Sequence, residues 1–257
     1  MKHITSQDNP FYKELSKLSA SARQRGKLGQ TLLDGAHLLA AYLANGKQPQ
    51  HLIVTAAALR EHEIISLLNK LPNVPTTQLD DGLFAELSEL KTVSGVLALI
   101  AVPQPEMMVQ SSHFCLLLEN IQDPGNLGSM LRSAAAAGCD AVFMSKGCAD
   151  AWSPKVLRAA MGGHFVLNLH EHADLLRVAS VFPGTIFAAS LSARSSLYES
   201  CLSGAIAFAI GNEGAGLSDA LLGKAKPVTI PMPGKVESLN AAAAAAICLF
   251  EAVRQRN

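Results

Sequence analysis

A chain of 257 residues, 49% hydrophobic and 16% charged, is too apolar to be disordered and long enough to bury two cores. Lys plus Arg number 21 and Asp plus Glu 21, which removes the easy argument for a polyanion partner, so any affinity for nucleic acid has to be local. The longest apolar run, Ala241 to Phe250, is about half of a membrane span, and MKHITSQDNPFYK at the start has no apolar stretch, so neither a spanning helix nor a secretory leader is expected.

In chain order, Ser6, Asp8, Asn9 and Pro10 form a helix start, and Phe11, Leu15 and Leu18 repeat at helical spacing up to the Arg and Gly residues at 23–26. The first thirty residues carry Lys2, Lys13, Lys17, Arg23, Arg25 and Lys27 against Asp8 and Glu14, a bias that a solvated helix face explains as well as an RNA contact does. Strand-like QTLLDG, HLIVT and VSGVLALIAV then alternate with helical AHLLAAYLANG and AAALREHEIISLLNKL, a small α/β domain over 1–102. VPQPEMMVQSSH, with two prolines and little periodicity, marks a linker over 103–113. From 114 to 257 a second alternation predicts strands near 114–118, 141–145, 186–190, 205–210 and 228–232. CLLL and AIAFAI are apolar without period-two alternation, as in strands covered on both faces, so a mostly parallel sheet with helices on both sides is expected. The final helix, about Asn240 to Arg254, opens on six alanines, which permit close backbone approach or simply favour helix. Five scattered cysteines without CxxC spacing point to reduced thiols in a cytoplasm. His164, His170 and His172 lack the partners of a metal site, and none is expected.

Three strand-loop-helix junctions carry the chemistry. In the first, Pro124 and Gly125 permit a sharp turn, Asn126 is placed to cap the following helix, and Arg132 falls in its second turn, where a guanidinium either clamps a phosphate or makes a surface salt bridge. The second, IGNEGAGLS, lacks the ending of a P-loop and the spacing of a dinucleotide fingerprint; it leaves a glycine loop with Glu213 as its single charge. The third sets Pro231, Pro233 and Gly234 around Met232 and runs into Glu237, Ser238, Leu239 and Asn240, of which Ser238 or Asn240 serves at least as a helix cap. Loops at the carboxyl ends of parallel strands converge, so the three point at one site.

NIQDPGNLGSMLRSA, IGNEGAGLS and IPMPGKVESLNAAAAAA, in this order, resemble the signature motifs of the SpoU/TrmH family of RNA 2′-O-ribose methyltransferases, within the SPOUT superfamily. SPKVLRAAMGGHF resembles the segment between the first and second motifs, and ITSQDNPFYKELSKL with LLDGAHLL is similar to the family's N-terminal substrate-binding domain. The resemblance implies a deep trefoil knot in the C-terminal domain, a homodimer, S-adenosylmethionine as methyl donor and structured RNA, ribosomal or transfer, as substrate. It assigns the donor to Leu191, Gly211, Ile230, Met232 and Leu239, and RNA binding and catalysis to Asn126, Arg132, Glu213, Ser238 and Asn240. A guanidinium, with a pKa above about 12, is a poor base, so Arg132 is expected to fix the 3′ phosphate while Glu213 and Asn240 hold the ribose and Ser238 supports its loop. The chain departs from the family pattern at Ala241-Ala242-Ala243, where relatives carry Val-Ser-Val, at Asp34 in place of Glu, and at Ala160 in place of Ser. Two other classes compete: a noncatalytic RNA-binding protein on the same fold, and a nucleotide-dependent oxidoreductase, which the glycine spacing disfavours.

Overall fold

The computed structural model describes residues 1–90, 92–106 and 109–256; Met107 and Met108 of the expected linker lie outside them. The chain packs as two units, Met1–Pro103 with Trp152–Phe165, and Gln104–Ala151 with Val166–Asn257. The segment that resembles SPK-x-x-R thus belongs to the packing of the first unit.

The first unit runs β1 (Lys2–Ile4), α1 (Pro10–Ala20), α2 (Ala22–Leu28), β2 (Gln30–Asp34), α3 (Ala36–Ala44), β3 (His51–Val54), α4 (His62–Asn69), β4 (Thr76–Leu79), α5 (Asp81–Leu87) and β5 (Val96–Ala101). The second contributes β6 (Phe114–Leu118), α6 (Pro124–Ala136) and β7 (Ala141–Met144) before α7 (Pro154–Ala160) returns to the first. It then continues with β8 (Asn168–His170), α8 (Leu175–Val181), β9 (Thr185–Ala189), β10 (Ile206–Ile210), α9 (Asp219–Leu222), β11 (Lys226–Val228) and α10 (Ala241–Arg256). None of the helices among the described residues is long and apolar enough to cross a membrane.

In unit one the strands order as β1-β4-β3-β5-β2, with β5 antiparallel to both neighbours. Asn9 starts α1 by accepting the Phe11 amide at 3.0 Å, and Tyr12, Leu15 and Leu18 point into a core shared with Ile53 and Phe84. The charged continuation at 22–28 is a separate helix: Ser21 is extended and caps α2, and Gly29, at φ +61°, ends it. The expected helix through 56–71 is likewise broken, because Glu61 is extended between a short 3₁₀ turn and α4.

Unit two is a six-stranded, wholly parallel sheet, β11-β9-β10-β6-β7-β8. All five residues of β6 and of β10 are buried, which explains their unbroken apolar runs. Cys115, Leu117, Ala207 and Ala209 face Leu175, Val178 and Phe182 on one side; α10 packs on β10 and α6 on the other. The last strand lies earlier than expected, at Lys226–Val228, since Pro231 and Pro233 have no amide to continue a ladder. The cysteines form no disulfide, and burial pushes the Cys115 and Cys248 thiols up to about 12, where they are inert.

Candidate active site

After β6 the chain runs outward to β7 and β8 on one side, and after β10 it crosses to β11, beyond β9, on the other. Loops leaving neighbouring strands β6 and β10 therefore diverge, and such a switch point opens a crevice at the carboxyl ends of the strands. A cleft of about 410 Å³ lies at the ends of β9, β10 and β11, a size suited to a small organic ligand. Leu191, Gly211, Ile230, Met232 and Leu239 all line it, together with Glu213 and Ser238. Most of its side-chain wall is apolar, interrupted by Ser190, Ser192, Asn212 and Thr229, while Gly211, Gly214 and Gly216 leave main chain exposed to it.

The glycine loop has a defined shape. Asn212 and Gly216 exchange both backbone hydrogen bonds, 3.1 and 2.8 Å, and the Asn212 side chain accepts the amides of Gly214 and Ala215. A Cβ on Gly211 would run into the Gly216 backbone, so the reversal requires glycine there. The first junction grips this loop. Glu119, at the end of β6, accepts both the amide and the hydroxyl of Ser218, at 2.7 and 2.8 Å, and Asn212 Nδ2 donates to the Asn120 carbonyl at 3.0 Å. Asn120 itself sits at φ 56°, a left-handed conformation that asparagine tolerates. Motif spacing alone misses Glu119; the available signal is an acid directly after a buried strand and before NIQDPGN.

Asn126 does not cap α6. Asp123 does, accepting the Asn126 amide at 2.7 Å with Pro124 at the first helical position, because the helix starts before the turn residues end. Two consequences follow. The Asn126 side chain is released to face the other junctions, and Arg132 falls in the third turn of α6, not the second. Asn126 Nδ2 donates to Glu213 Oε1 at 2.6 Å, and Asn126 Oδ1 accepts from Asn240 Nδ2 at 2.9 Å. Asn240 is the cap of α10, its Oδ1 accepting the amides of Ala242 and Ala243 at 2.9 and 3.2 Å. This cap decides the sense of the whole chain of bonds: with Asn240 Oδ1 committed to the helix, its Nδ2 faces Asn126, which then turns its own Nδ2 to the Glu213 carboxylate.

One hydrogen-bonded line, Asn240 to Asn126 to Glu213, thus joins all three junctions beside the cleft. Ser238 lines the cleft but is not the helix cap. Arg132 stands apart, exposed, roughly 9 Å along the helix axis from Asn126 at about 1.5 Å per residue. It makes no hydrogen bond or ion pair with the described residues, so the surface salt bridge is not its role. Asp140 is structural, accepting the His113 and Phe114 amides. No group of three metal-binding side chains occurs among the described residues.

Residues 113–250 match the model of the SpoU rRNA methylase family. The chain belongs to this family. Residues 9–98 match the MRM3-like substrate binding domain. Along its length this SpoU family member is 33% identical to the 23S rRNA (guanosine(2553)-2′-O)-methyltransferase RlmP of Bacillus subtilis, covering 97% of this chain and 98% of the other. A crystal structure of an RNA 2′-O ribose methyltransferase superposes with a TM-score of 0.84 at 30% identity, covering 98% of each chain. The SpoU methyltransferase AviRb of Streptomyces viridochromogenes in complex with AdoMet gives 0.85 at 27% identity, covering 96% of this chain and 98% of that one. The resemblance in the three motifs and the α/β architecture are therefore both as expected from the sequence.

Proposed function

We propose that this SpoU family member transfers a methyl group from S-adenosylmethionine to a ribose 2′-oxygen in ribosomal RNA. The observation that carries this is the line from Asn240 through Asn126 to Glu213, which draws three loops to one edge of a cleft of ligand size. The cleft suits the donor: Leu191, Ile230, Met232 and Leu239 offer apolar walls to a flat base, and Glu213 supplies a negative charge for a sulfonium. These residues hold the donor in the proposed reading, with Gly211 keeping the loop reversed beside them.

When bound, S-adenosylmethionine supplies a methyl carbon already activated on a sulfonium, so what the chain must add is position and a route for one proton. Asn126 fixes Glu213 through Oε1, leaving Oε2 to accept a ribose hydroxyl. Asn240 sets the sense of that line, and Ser238 holds the loop between the cleft and α10. Arg132, with its guanidinium uncommitted, clamps the 3′ phosphate in two places; that phosphate takes the hydroxyl proton or passes it to water. No residue of the chain then needs to be a strong base, and no metal is required.

The same reading includes a homodimer, a trefoil knot and a cytoplasmic protein. Ala243, Ala246, Ile247 and Phe250 repeat at helical spacing on the open side of α10, with Phe250 46% exposed, which supports pairing with a second copy. Insertion of β10 between β6 and β9, followed by the return of α10 onto β9 and β10, supports the knot. Residues 1–102 serve as the RNA-binding domain, 103–113 as linker and 114–257 as the methyltransferase domain. The test is transfer of labelled methyl from S-adenosylmethionine to ribosomal RNA followed by alkaline hydrolysis. Label in alkali-resistant dinucleotides is expected, because a 2′-O-methyl removes the nucleophile of strand cleavage; label in mononucleotides means base methylation and overturns the proposal.

A further inference from the structure

A second hollow, of about 600 Å³, adjoins the cleft and shares Ser190, Ser192, Leu222 and Val228 with it. It is lined by Arg194 and Lys226 and by the hydroxyl residues Ser190, Ser192, Ser195 and Ser200, and no carboxylate among the described residues lines it. The two cations have no hydrogen bond or ion pair with the described residues. Neither is explained by the methyl-transfer machinery, and neither lies in the motifs that identify the family.

The backbone around the two cations is tied down. After β9 the chain does not leave the sheet: Ser190 donates to the Val228 carbonyl at 3.0 Å, Thr229 to the Ser195 carbonyl at 2.9 Å, and Leu197 to the Thr229 carbonyl at 2.8 Å. Residues 190–197 are thereby laced along β11 and its continuation, with Arg194 in the laced span. Lys226 and Val228 are two apart on β11 and share a face. Val228 borders both hollows, so Lys226 stands on the far side of that shared wall from the donor cleft.

A planar guanidinium, an ammonium and several hydroxyls facing one solvent-open hollow without an opposing acid form a site for an oxyanion. We infer that this hollow holds a backbone phosphate of the RNA strand whose target ribose is held by Glu213 at the edge of the neighbouring donor cleft, a subsite that rests on the function proposed above. A strand with a phosphate at every nucleotide, fixed at one ribose, necessarily carries further phosphates past the adjoining surface. Arg194 and Lys226 thus set the path of the strand, while Arg132 acts at the target nucleotide.

The test compares the full-length chain with its Arg194→Gln, Lys226→Gln double variant, using a short fluorescent single-stranded RNA of mixed sequence across a series of salt concentrations. Each lost phosphate contact lowers the magnitude of the slope of log K against log salt by about 0.7, so the double variant, which loses the one phosphate held in the hollow, is expected to lose roughly 0.7. Its affinity for S-adenosylmethionine in the absence of RNA is expected to be unchanged, and Arg194→Lys with Lys226 intact is expected to keep the slope. An unchanged slope in the double variant overturns the subsite and leaves Lys226 as an edge-strand guard against sheet pairing. Weakened donor binding with an unchanged slope also overturns it, by assigning the hollow to the donor's own carboxylate. A wild-type chain that binds the donor but no RNA overturns the functional reading and the subsite together.

Discussion

Asn240 performs two tasks that substitution separates. Its Oδ1 caps α10 through two amides, and its Nδ2 orients Asn126 and, through it, Glu213. Asn240→Ala removes both. Loss of an N-cap costs about 1 kcal/mol, which for a chain of this size lowers Tm by roughly 2–4 °C. Asn240→Asp keeps an accepting oxygen at the helix start and adds a charge that the helix dipole favours by about 0.3–1 kcal/mol, so stability is held or slightly raised. A carboxylate cannot donate, however. Asn126 Oδ1 loses its partner, and if the Asn126 amide turns to donate to the introduced carboxylate it presents an oxygen to Glu213. Both arrangements misplace Glu213, and an error of about 1 Å at a reacting group costs up to about 100-fold in rate. Thermal melts and methyl-transfer assays on the two variants are expected to split: the alanine variant loses stability and activity, the aspartate variant activity alone. Full activity in Asn240→Asp would refute the role given to the hydrogen-bonded line, and an unchanged melting temperature in Asn240→Ala would refute the cap.

Arg132→Lys keeps the charge and loses the bidentate fork; turnover is expected to fall by at least about 10-fold, and near-normal turnover would contradict phosphate clamping. Glu119→Gln replaces a charge-assisted grip on Ser218 with a neutral one, so the dissociation constant for S-adenosylmethionine, read by calorimetry, is expected to rise about 10-fold, with kcat at saturating donor little changed. At the far end of α10, the Arg254 and Gln255 side chains hold the Glu251 carboxyl down to about 2 from the usual 4.5. A depressed carboxylate contributes stability that is complete above the unfolded value and is lost as pH falls towards the folded one. Denaturant titrations between about pH 4.5 and 2 are therefore expected to show a shallower acid loss in Glu251→Gln than in the wild type, and parallel curves would remove Glu251 from the account.

The site is legible in the sequence because loops at strand ends are punctuated by Gly, Pro and Asn, whose backbone demands show there. What does not show is which side chain serves which partner. Asp123 and Asn126 are both competent caps, and only the start of α6 at Pro124 decides between them, moving Arg132 by most of a turn. Asn240 reads as a helix cap, and it is one; the second bond, across to Asn126, depends on two helices meeting and has no local signal. In the fold, the long buried strands β6 and β10 stand out, whereas β1 and β8 do not. Both are three-residue edge strands, too short for periodicity to register. β4, with Thr76, Thr77 and Gln78, hides in polar residues: buried Thr77 is 2.8 Å from His51 Nε2, which satisfies its hydroxyl within the sheet. That Trp152–Phe165 packs with the first unit is equally invisible, since nothing in a segment's own residues states which core it joins.

Ribose methylation directed by the three-junction site is tested by incubating the chain with labelled S-adenosylmethionine and ribosomal RNA from a strain lacking the protein, then mapping the modified nucleotide. A single 2′-O-methylated ribose, absent with Arg132→Ala, is the result expected. Donor binding without methyl transfer to any ribosomal RNA would contradict it.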